Sequence, residues 1–436
     1  MLDLFDWQAR CPRYILQVRG RFPDLPFDGS TEMKRVALLL HCDRFEGWFT
    51  RVLGFDKESY LNHYRNDFAW DYALGLRENG IEPIIYIASL QHQGLYHTHD
   101  GFQVRFLPLA PWYALSCRLP YFKRSRLGTY LQERVNAIAL IGSLRAGLQD
   151  DQISVLYIQE YWTTRFDYLI EHLEIPIIGS DHGGNDALII PVHKHRSLPK
   201  AYKLTCQTIE QVEKVRQFGG DAVFLPNGVD TEFYCPDSTI PRQEKLILTV
   251  ARLTDRQKRT SDLIRALTYL DSDWRLDIVG TGTDGDRLRV LVQELNLSER
   301  VTFSGFVQDK AELRNRYQNC SLFALPSAAE GLPLVALEAM SCGTAVVTSN
   351  IPAFDHLVLE DKNGMKVPVG QPEALAQGIL KCSENREQYG LAARQMVVSS
   401  YAKPQMFAQL ANLIQHCPEP IAPTLQEIPF AASRSC

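Results

Sequence analysis

No two of the ten cysteines, scattered from Cys11 to Cys436, stand at C-x-x-C spacing. In a chain of 436 residues that scatter points to reduced thiols in the cytoplasm and away from a disulfide framework or a cysteine zinc site. The paired histidines His97/His99 and His193/His195 could bind metal, but solvated loop histidines are the expectation. No apolar run approaches the ~18 residues that a membrane span needs. Met1-Leu2-Asp3-Leu4-Phe5-Asp6 has no basic start and no long apolar stretch, so it is not read as a secretory signal. Neither sign of charge dominates, the formal net charge being -5, which argues against a nucleic-acid binder. Internal repeats and low-complexity tracts are also lacking.

What is present is length and alternation. The chain is longer than one hydrophobic core normally serves, which predicts two domains of roughly 200 residues. Residues 1–33, broken by Pro23 and Pro26, carry no period and are set apart as an N-terminal extension. A short, nearly all-apolar run of strand length over Arg35–His41 is followed by a helix over 67–79 and a strand over 83–87. The pattern repeats as a strand over 153–158, a helix over 164–172 and a strand over 175–179. Buried strands alternating with helices predict a parallel sheet covered on both faces. The turn cluster Leu225-Pro226-Asn227-Gly228-Val229-Asp230 marks the linker. A second series follows, with strands over 246–250, 275–279, 301–304, 322–325 and 345–348, and helices over 259–270, 286–296, 309–318 and 332–341. The fold class is therefore α/β, two doubly wound Rossmann-like domains facing across a cleft, over 34–230 and 231–400. A helix over 401–417 is expected to pack back on the N-terminal domain. The Pro- and Ala-rich tail, 418–436, is expected to be disordered.

Ligands of such sheets sit beyond the carboxyl ends of the strands. There the sequence offers Glu330-Gly331-Leu332-Pro333-Leu334-Val335-Ala336-Leu337-Glu338. A helix start behind a glycine presents free amides and a positive dipole end, suited to a diphosphate. Glu330 before the helix and Glu338 two turns into it could hold opposite ends of one extended ligand, sugar and ribose.

This segment resembles the paired-glutamate motif of the family-four retaining glycosyltransferases (glycosyl transferases group 1), which have the GT-B fold. The likeness runs from about Leu225 to about Leu410. It includes the 225–230 cluster, Ala251-Arg252-Leu253, Lys258, Ile278-Val279-Gly280-Thr281-Gly282, Ser304-Gly305-Phe306-Val307, Leu325-Pro326-Ser327 and Ala339-Met340-Ser341-Cys342-Gly343. Any one is weak; their order and spacing together are specific. The resemblance implies that Glu338 binds the donor ribose and Glu330 contacts the transferred sugar. It implies that the amides of Leu332 and Leu334 hold the diphosphate beside Gly331, that Arg252 and Lys258 clamp the phosphates, and that Val307 lies against the base. Fixed cations would stabilise the charge that grows on the leaving diphosphate, Arg252 as a fork and Lys258 as a point charge. The family's glycine after the lysine is Arg259 here, and the spacing from Arg252 is one residue long, so Arg256 stands as a substitute for Lys258. Of the family's glycine-rich loop after the first strand, only Gly47 matches.

Gly280-Thr281-Gly282-Thr283-Asp284-Gly285 fits G-x-G-x-x-G. It follows the second strand of its domain, and about 20 residues on, at the end of the next strand, stands Gly305-Phe306 where an acidic residue would hold a ribose. Gly280 and Gly282 are therefore expected to let the chain turn tightly near the donor, not to bind a dinucleotide. Asp271-Ser272-Asp273 and Asp284-Gly285-Asp286 match the D-x-D pattern of metal-dependent glycosyltransferases. They read as turns, and no metal or other cofactor is expected. In the N-terminal half, the strand ending at Gly179 runs into Ser180-Asp181-His182-Gly183-Gly184-Asn185-Asp186. His182 resembles a histidine that family members carry there and is expected to meet the transferred sugar; Asp186 could accept the acceptor's proton.

Residues 111–145 combine Trp112, Tyr113, Tyr121 and Phe122 with Arg118, Lys123, Arg124, Arg126, Arg134 and Arg145. Such a stretch suits a lipid-linked or phosphorylated acceptor or the inner face of a membrane. The resemblance thus implies a metal-independent, retaining hexosyltransferase that uses a nucleotide diphosphate sugar, UDP-linked in preference, with an unidentified small-molecule, glycan or lipid-linked acceptor. The alternatives are an epimerase or phosphorylase on the same fold, or an inactive nucleotide-sugar-binding protein.

Overall fold

A computed structural model describes residues 33–65, 68–116, 125–182 and 189–418. The extension and the tail, residues 117–124, and Gly183, Gly184, Asn185 and Asp186 lie outside the described residues.

From Lys34 onward the described chain forms one compact unit built on two sheets. The first contains β1 (Arg35–Leu39), β2 (Glu82–Ser89), β3 (Gly94–His97), β4 (Gln103–Pro108), β5 (Val155–Gln159), β6 (Ile177–Ser180), β7 (Lys203–Cys206) and β8 (Ala222–Phe224). Their order is β3-β4-β2-β1-β5-β6-β7-β8, parallel except for β3. The second contains β9 (Leu246–Val250), β10 (Arg275–Val279), β11 (Val301–Gly305), β12 (Leu322–Leu325), β13 (Val346–Ser349) and β14 (Gly364–Val367), in the order β11-β10-β9-β12-β13-β14. Each sheet carries a hydrophobic cluster on either face, which is why the central strands have no polar alternation. In the first sheet the order reverses between β1 and β5, in the second between β9 and β12. Those are the points where flanking loops diverge and leave a crevice.

The chain crosses between the sheets twice, and the crossings touch. Val229 N donates to Tyr401 O (2.7 Å) and Lys403 N to Val229 O (3.0 Å). A Cβ on Gly228 would fall 2.6 Å from Lys403 Cα, so only glycine permits this approach. After the second crossing the helix Lys403–Gln415 returns to the first sheet. Met406, Phe407, Leu410 and Ile414 join the core of Val36, Leu38 and Trp70, and Lys403 Nζ pairs with Asp71 at 2.7 Å.

Two helices differ from the periodicity. The helix expected over 332–341 begins at Leu334, because Pro333 stands at its N-cap with φ -80 and ψ 80. The helix expected over 259–270 is a turn at Asp255–Lys258, a left-handed Arg259 (φ 53), and a helix Thr260–Ala266 that tightens at Leu267–Tyr269. β3, β7, β8 and β14 are too short or too polar to have stood out as strands.

Candidate functional site

The second sheet's switch point lies between β9 and β12, so the loops that follow these strands carry the groups of interest. After β9 come Ala251, Arg252 and Leu253; after β12 come Pro326 to Pro333. The two are tied together: Ala328 N donates to Gln257 O (2.7 Å) and Gln257 Nε2 to Ala329 O (3.2 Å). Lys258, closing the short helix after β9, reaches both oxygens of Glu330, at 2.6 and 2.8 Å. Ser327 Oγ donates to the same carboxylate at 2.6 Å. The side chains of Lys258 and Glu330 are only 16% and 8% exposed, so the pair sits in a partly dehydrated setting where charge is felt strongly. Arg256, two residues before Lys258 in the same short helix, is exposed and makes no polar contact among the described residues. Arg252 is also exposed and has no side-chain partner among them.

Arg259 explains the glycine usual at its position. Its backbone is left-handed (φ 53), a conformation glycine adopts without steric cost. Its guanidinium is engaged by Asp262 at 2.8 and 3.0 Å and adds no cation to the Lys258–Glu330 pair.

Gly280 and Gly282 hold the Arg252 loop in place. Gly280 has φ 131, and a Cβ there would fall 2.0 Å from Ala251 O; on Gly282 it would fall 2.4 Å from Leu253 O. The loops are stitched by Ala251 N to Val279 O (3.0 Å), Leu253 N to Thr281 O (2.9 Å) and Asp284 N to Leu253 O (2.9 Å). These glycines serve backbone packing beneath Arg252. Asp284 accepts from Asp255 N (2.7 Å) and pairs with Arg287. Asp273 faces Lys245 at the opposite, amino-terminal end of β9 and β10. Among the described residues no cluster of three or more metal-ligating side chains occurs.

Glu338 lies on the helix Leu334–Ser341, largely buried. Tyr317 Oη donates to it at 2.9 Å, and Tyr234 adds a second hydrogen bond. Burial pushes the carboxyl up to about 6, against the two tyrosines, which favour the ionised form. The residues before this helix offer fewer amides than expected: Leu334 N is turned onto Leu332 O at 3.0 Å. Gly331 is exposed with open space around it, while Leu332 is half-buried against the core. Val307 packs on the same core, beside the exposed Phe306.

In the first sheet the switch point lies between β1 and β5. Arg165, buried on the helix Thr164–His172, donates to Leu40 O (3.1 Å) and Cys42 O (2.9 Å) and so shapes the loop after β1. Gly47 sits inside the helical turn Glu46–Thr50. Its amide donates to Arg44 O at 3.1 Å, and a Cβ would fall 2.5 Å from Asp43 Oδ1. Its role here is packing, with no amide left to offer a phosphate. His182, just beyond β6, has both ring nitrogens engaged: Nε2 lies 3.2 Å from Ser180 Oγ and Nδ1 3.2 Å from Asn227 Nδ2. Its ring stacks on Phe68 at 5.0 Å. Burial pushes its pKa down to about 4, with Asp181 opposing, so the imidazole is neutral near pH 7.

The structure thus brings Lys258 and Glu330 together with Arg252 on the adjoining loop. Ser327, Tyr317, Tyr234, Arg165 and Asn227 were not singled out as site residues. Of these, Asn227 and Ser327 lie in quoted motifs; the others reach their partners only through folding.

Residues 230–396 match the family model for glycosyl transferases group 1. Among curated relatives, the phosphatidyl-myo-inositol mannosyltransferase of Mycobacterium tuberculosis is 33% identical over 216 residues, 46% of this chain and 56% of that protein. The N-acetylgalactosamine-N,N'-diacetylbacillosaminyl-diphospho-undecaprenol 4-alpha-N-acetylgalactosaminyltransferase of Campylobacter jejuni is 36% identical over 141 residues, 32% and 38% of the two chains. The matched region therefore spans little more than half of these relatives at most. Among solved structures, sucrose-phosphate synthase from Thermosynechococcus elongatus superposes with a TM-score of 0.66 at 19% identity, over 88% of this chain and 98% of that one. Anabaena HepE, solved in complex with UDP, gives 0.62 at 16% identity, over 88% and 100%. These likenesses establish the two-sheet GT-B architecture.

Proposed function

We propose that this chain, a group 1 glycosyltransferase family member through residues 230–396 and GT-B in fold, is a retaining hexosyltransferase that takes its sugar from a nucleotide diphosphate, UDP in preference. The observation that carries the proposal is the Lys258–Glu330 pair at the β9/β12 switch point, with Arg252 on the adjoining loop. A leaving diphosphate gains negative charge as its bond to the sugar breaks, and fixed cations stabilise that charge most where water is thin. Glu330 then meets the sugar and Glu338 the ribose hydroxyls. The bond from the sugar's C1 to the phosphate oxygen breaks. The acceptor oxygen joins C1 on the face the phosphate leaves, and the acceptor's proton passes to the released phosphate. His182 orients a sugar hydroxyl.

We propose no metal, because Arg252 and Lys258 supply the positive charge. The UDP complex of HepE and the named acceptors of the relatives support a nucleotide donor and a glycan or lipid-linked acceptor. Peripheral membrane contact on the cytoplasmic side is a further part of the proposal. Leu127, Leu131, Arg134 and Ile138 share one face of the helix Arg126–Asp150 at 3.6 residues per turn. Leu127, Leu131 and Ile138 are exposed there, as are Trp112 and Leu115 at the short helix Tyr113–Ser116. Burial pushes Glu133, on the same helix, up to about 7. No helix among the described residues is long and apolar enough to cross a membrane.

The test is a thermal-shift screen with UDP, GDP and their hexose conjugates, followed by NMR of the released anomer. A bound donor at a hundred times its Kd stabilises the fold by about 2.7 kcal/mol. No shift with any nucleotide at millimolar concentration sinks the proposal; an inverted anomer sinks the retaining part.

A further inference from the structure

The hydrogen bonds around His182 determine which ring nitrogen carries the proton, and they begin at a backbone amide. Asn227 N donates to Gln207 Oε1 at 2.6 Å. A backbone N–H can only donate, so the Gln207 atom facing it is the oxygen, and the other terminal atom, Nε2, is a donor. Gln207 Nε2 faces Asn227 Oδ1 at 3.3 Å, and Tyr72 Oη donates to the same oxygen at 3.1 Å. The Asn227 amide is thereby oriented, leaving its NH₂ group toward His182 Nδ1 at 3.2 Å. Nδ1 must then present its lone pair, and the proton of the neutral ring resides on Nε2. Ser180 Oγ, 3.2 Å away, receives it.

We propose that Asn227, a residue of the segment joining the two lobes, is a positioning residue that fixes His182 as the Nε2–H tautomer and makes the imidazole a hydrogen-bond donor to the substrate instead of a base. The inference deepens the reading above, on which it rests for the statement that His182 meets the sugar. It assigns that contact a direction: Nε2–H leaves Ser180 Oγ and donates to a hydroxyl oxygen of the sugar, with no net proton transfer. The groups that act on the ring are consistent with a neutral donor. Phe68 and Tyr72 present aromatic faces or edges at 5.0 and 5.9 Å. Asp181 and His41 are its titratable neighbours, and Glu160 accepts the His182 backbone amide at 3.1 Å. Asn227 is itself held by the lobe crossing, since Gly228 and Val229 lie against Tyr401 to Lys403. The protonation pattern of a ring in one lobe is therefore tied to the segment about which the lobes are joined.

The test is long-range ¹⁵N–¹H NMR of the full chain labelled at histidine. Wild type is expected to show one pyridine-like nitrogen, Nδ1, and one pyrrole-like nitrogen, Nε2, unchanged between pH 8 and 5.5. In Asn227→Asp the carboxylate can only accept, so the proton moves to Nδ1 or the ring becomes doubly protonated. The transfer rate should then fall by about 10-fold or more and gain a pH limb absent from wild type. Gln207→Glu keeps the acceptor for Asn227 N but loses the donor to Asn227 Oδ1. It should give a mixture of tautomers, and it answers the question if Asn227→Asp does not fold. A wild-type ring protonated on Nδ1, or wild-type shifts in the variants, overturns the proposal. The spectrum is independent of turnover: the expected tautomer together with full activity in His182→Ala would discard the sugar contact and leave the tautomer assignment standing.

Discussion

Lys258→Ala and Glu330→Gln should move nucleoside diphosphate affinity in opposite directions. In the free protein Lys258 Nζ lies 2.6 and 2.8 Å from the two Glu330 oxygens. At 2.8 Å and an effective dielectric of about 20, the gross attraction is about 6 kcal/mol. Most of that is offset by lost hydration, and close charge pairs in measured cycles retain about 1.5 kcal/mol or more. A diphosphate arriving at Lys258 must compete with this partner. Glu330→Gln removes the competing charge while preserving shape, so nucleoside diphosphate should bind about 5- to 10-fold more tightly, near 1 kcal/mol. Transfer should nevertheless slow by about 100-fold, as the anionic contact to the sugar is lost. Lys258→Ala strips the cation: diphosphate binding weakens, and kcat/KM should drop by about 10² to 10³, some 3–4 kcal/mol. The assay pairs calorimetric titration of UDP with steady-state transfer on both variants, each checked by circular dichroism. If Glu330→Gln bound UDP more weakly, or Lys258→Ala kept wild-type kcat/KM, the electrostatic account of the site would be wrong.

Glu338→Gln should abolish a pH dependence. With its carboxyl near 6 in the fold, nucleotide affinity should fall by up to about tenfold per pH unit below 6 in wild type, and stay flat in the variant. The raised value also means the folded state holds the extra proton between about 4.5 and 6. Wild-type stability should therefore lose about 2 kcal/mol relative to Glu338→Gln as pH rises through that window, measured by urea unfolding. Gly282→Ala drives a Cβ to 2.4 Å from Leu253 O and should cost about 3 kcal/mol and displace Arg252, lowering both the melting temperature and donor affinity. Arg259→Gly relieves a left-handed backbone but loses the Asp262 pair. Stability should stay within about 1 kcal/mol of wild type, with transfer unchanged; a large loss of rate would place Arg259 among the phosphate clamps.

Much of this architecture was legible before folding, for local reasons. Runs such as Leu246–Val250 and Leu322–Leu325 are apolar but for Thr249 because both sheet faces are covered, so their burial is written in composition. A proline or a left-handed residue moves the start of a helix from where the periodicity puts it: the helix over 332–341 yields its first two residues to Pro333, and the helix expected from 259 starts at Thr260 after the left-handed Arg259.

Glu330, Glu338, Arg252 and Lys258 could be named because the order of the motifs around them resembles the family's, with Arg256 left as a rival to Lys258. The sequence by itself determined the alternation of strands and helices, the linker at 225–230, and the types of charge available beside β9 and β12. Only the tertiary structure decided which of Arg256 and Lys258 reaches Glu330, that Gly47 and the glycines at 280 and 282 serve packing, and that Tyr317 holds Glu338. It alone showed that Asn227 holds a ring 45 positions away in sequence. The physical reason is range. Helix and strand preferences act over a few neighbouring residues, whereas a hydrogen bond or ion pair exists only after distant segments have been carried to within about 3 Å of each other.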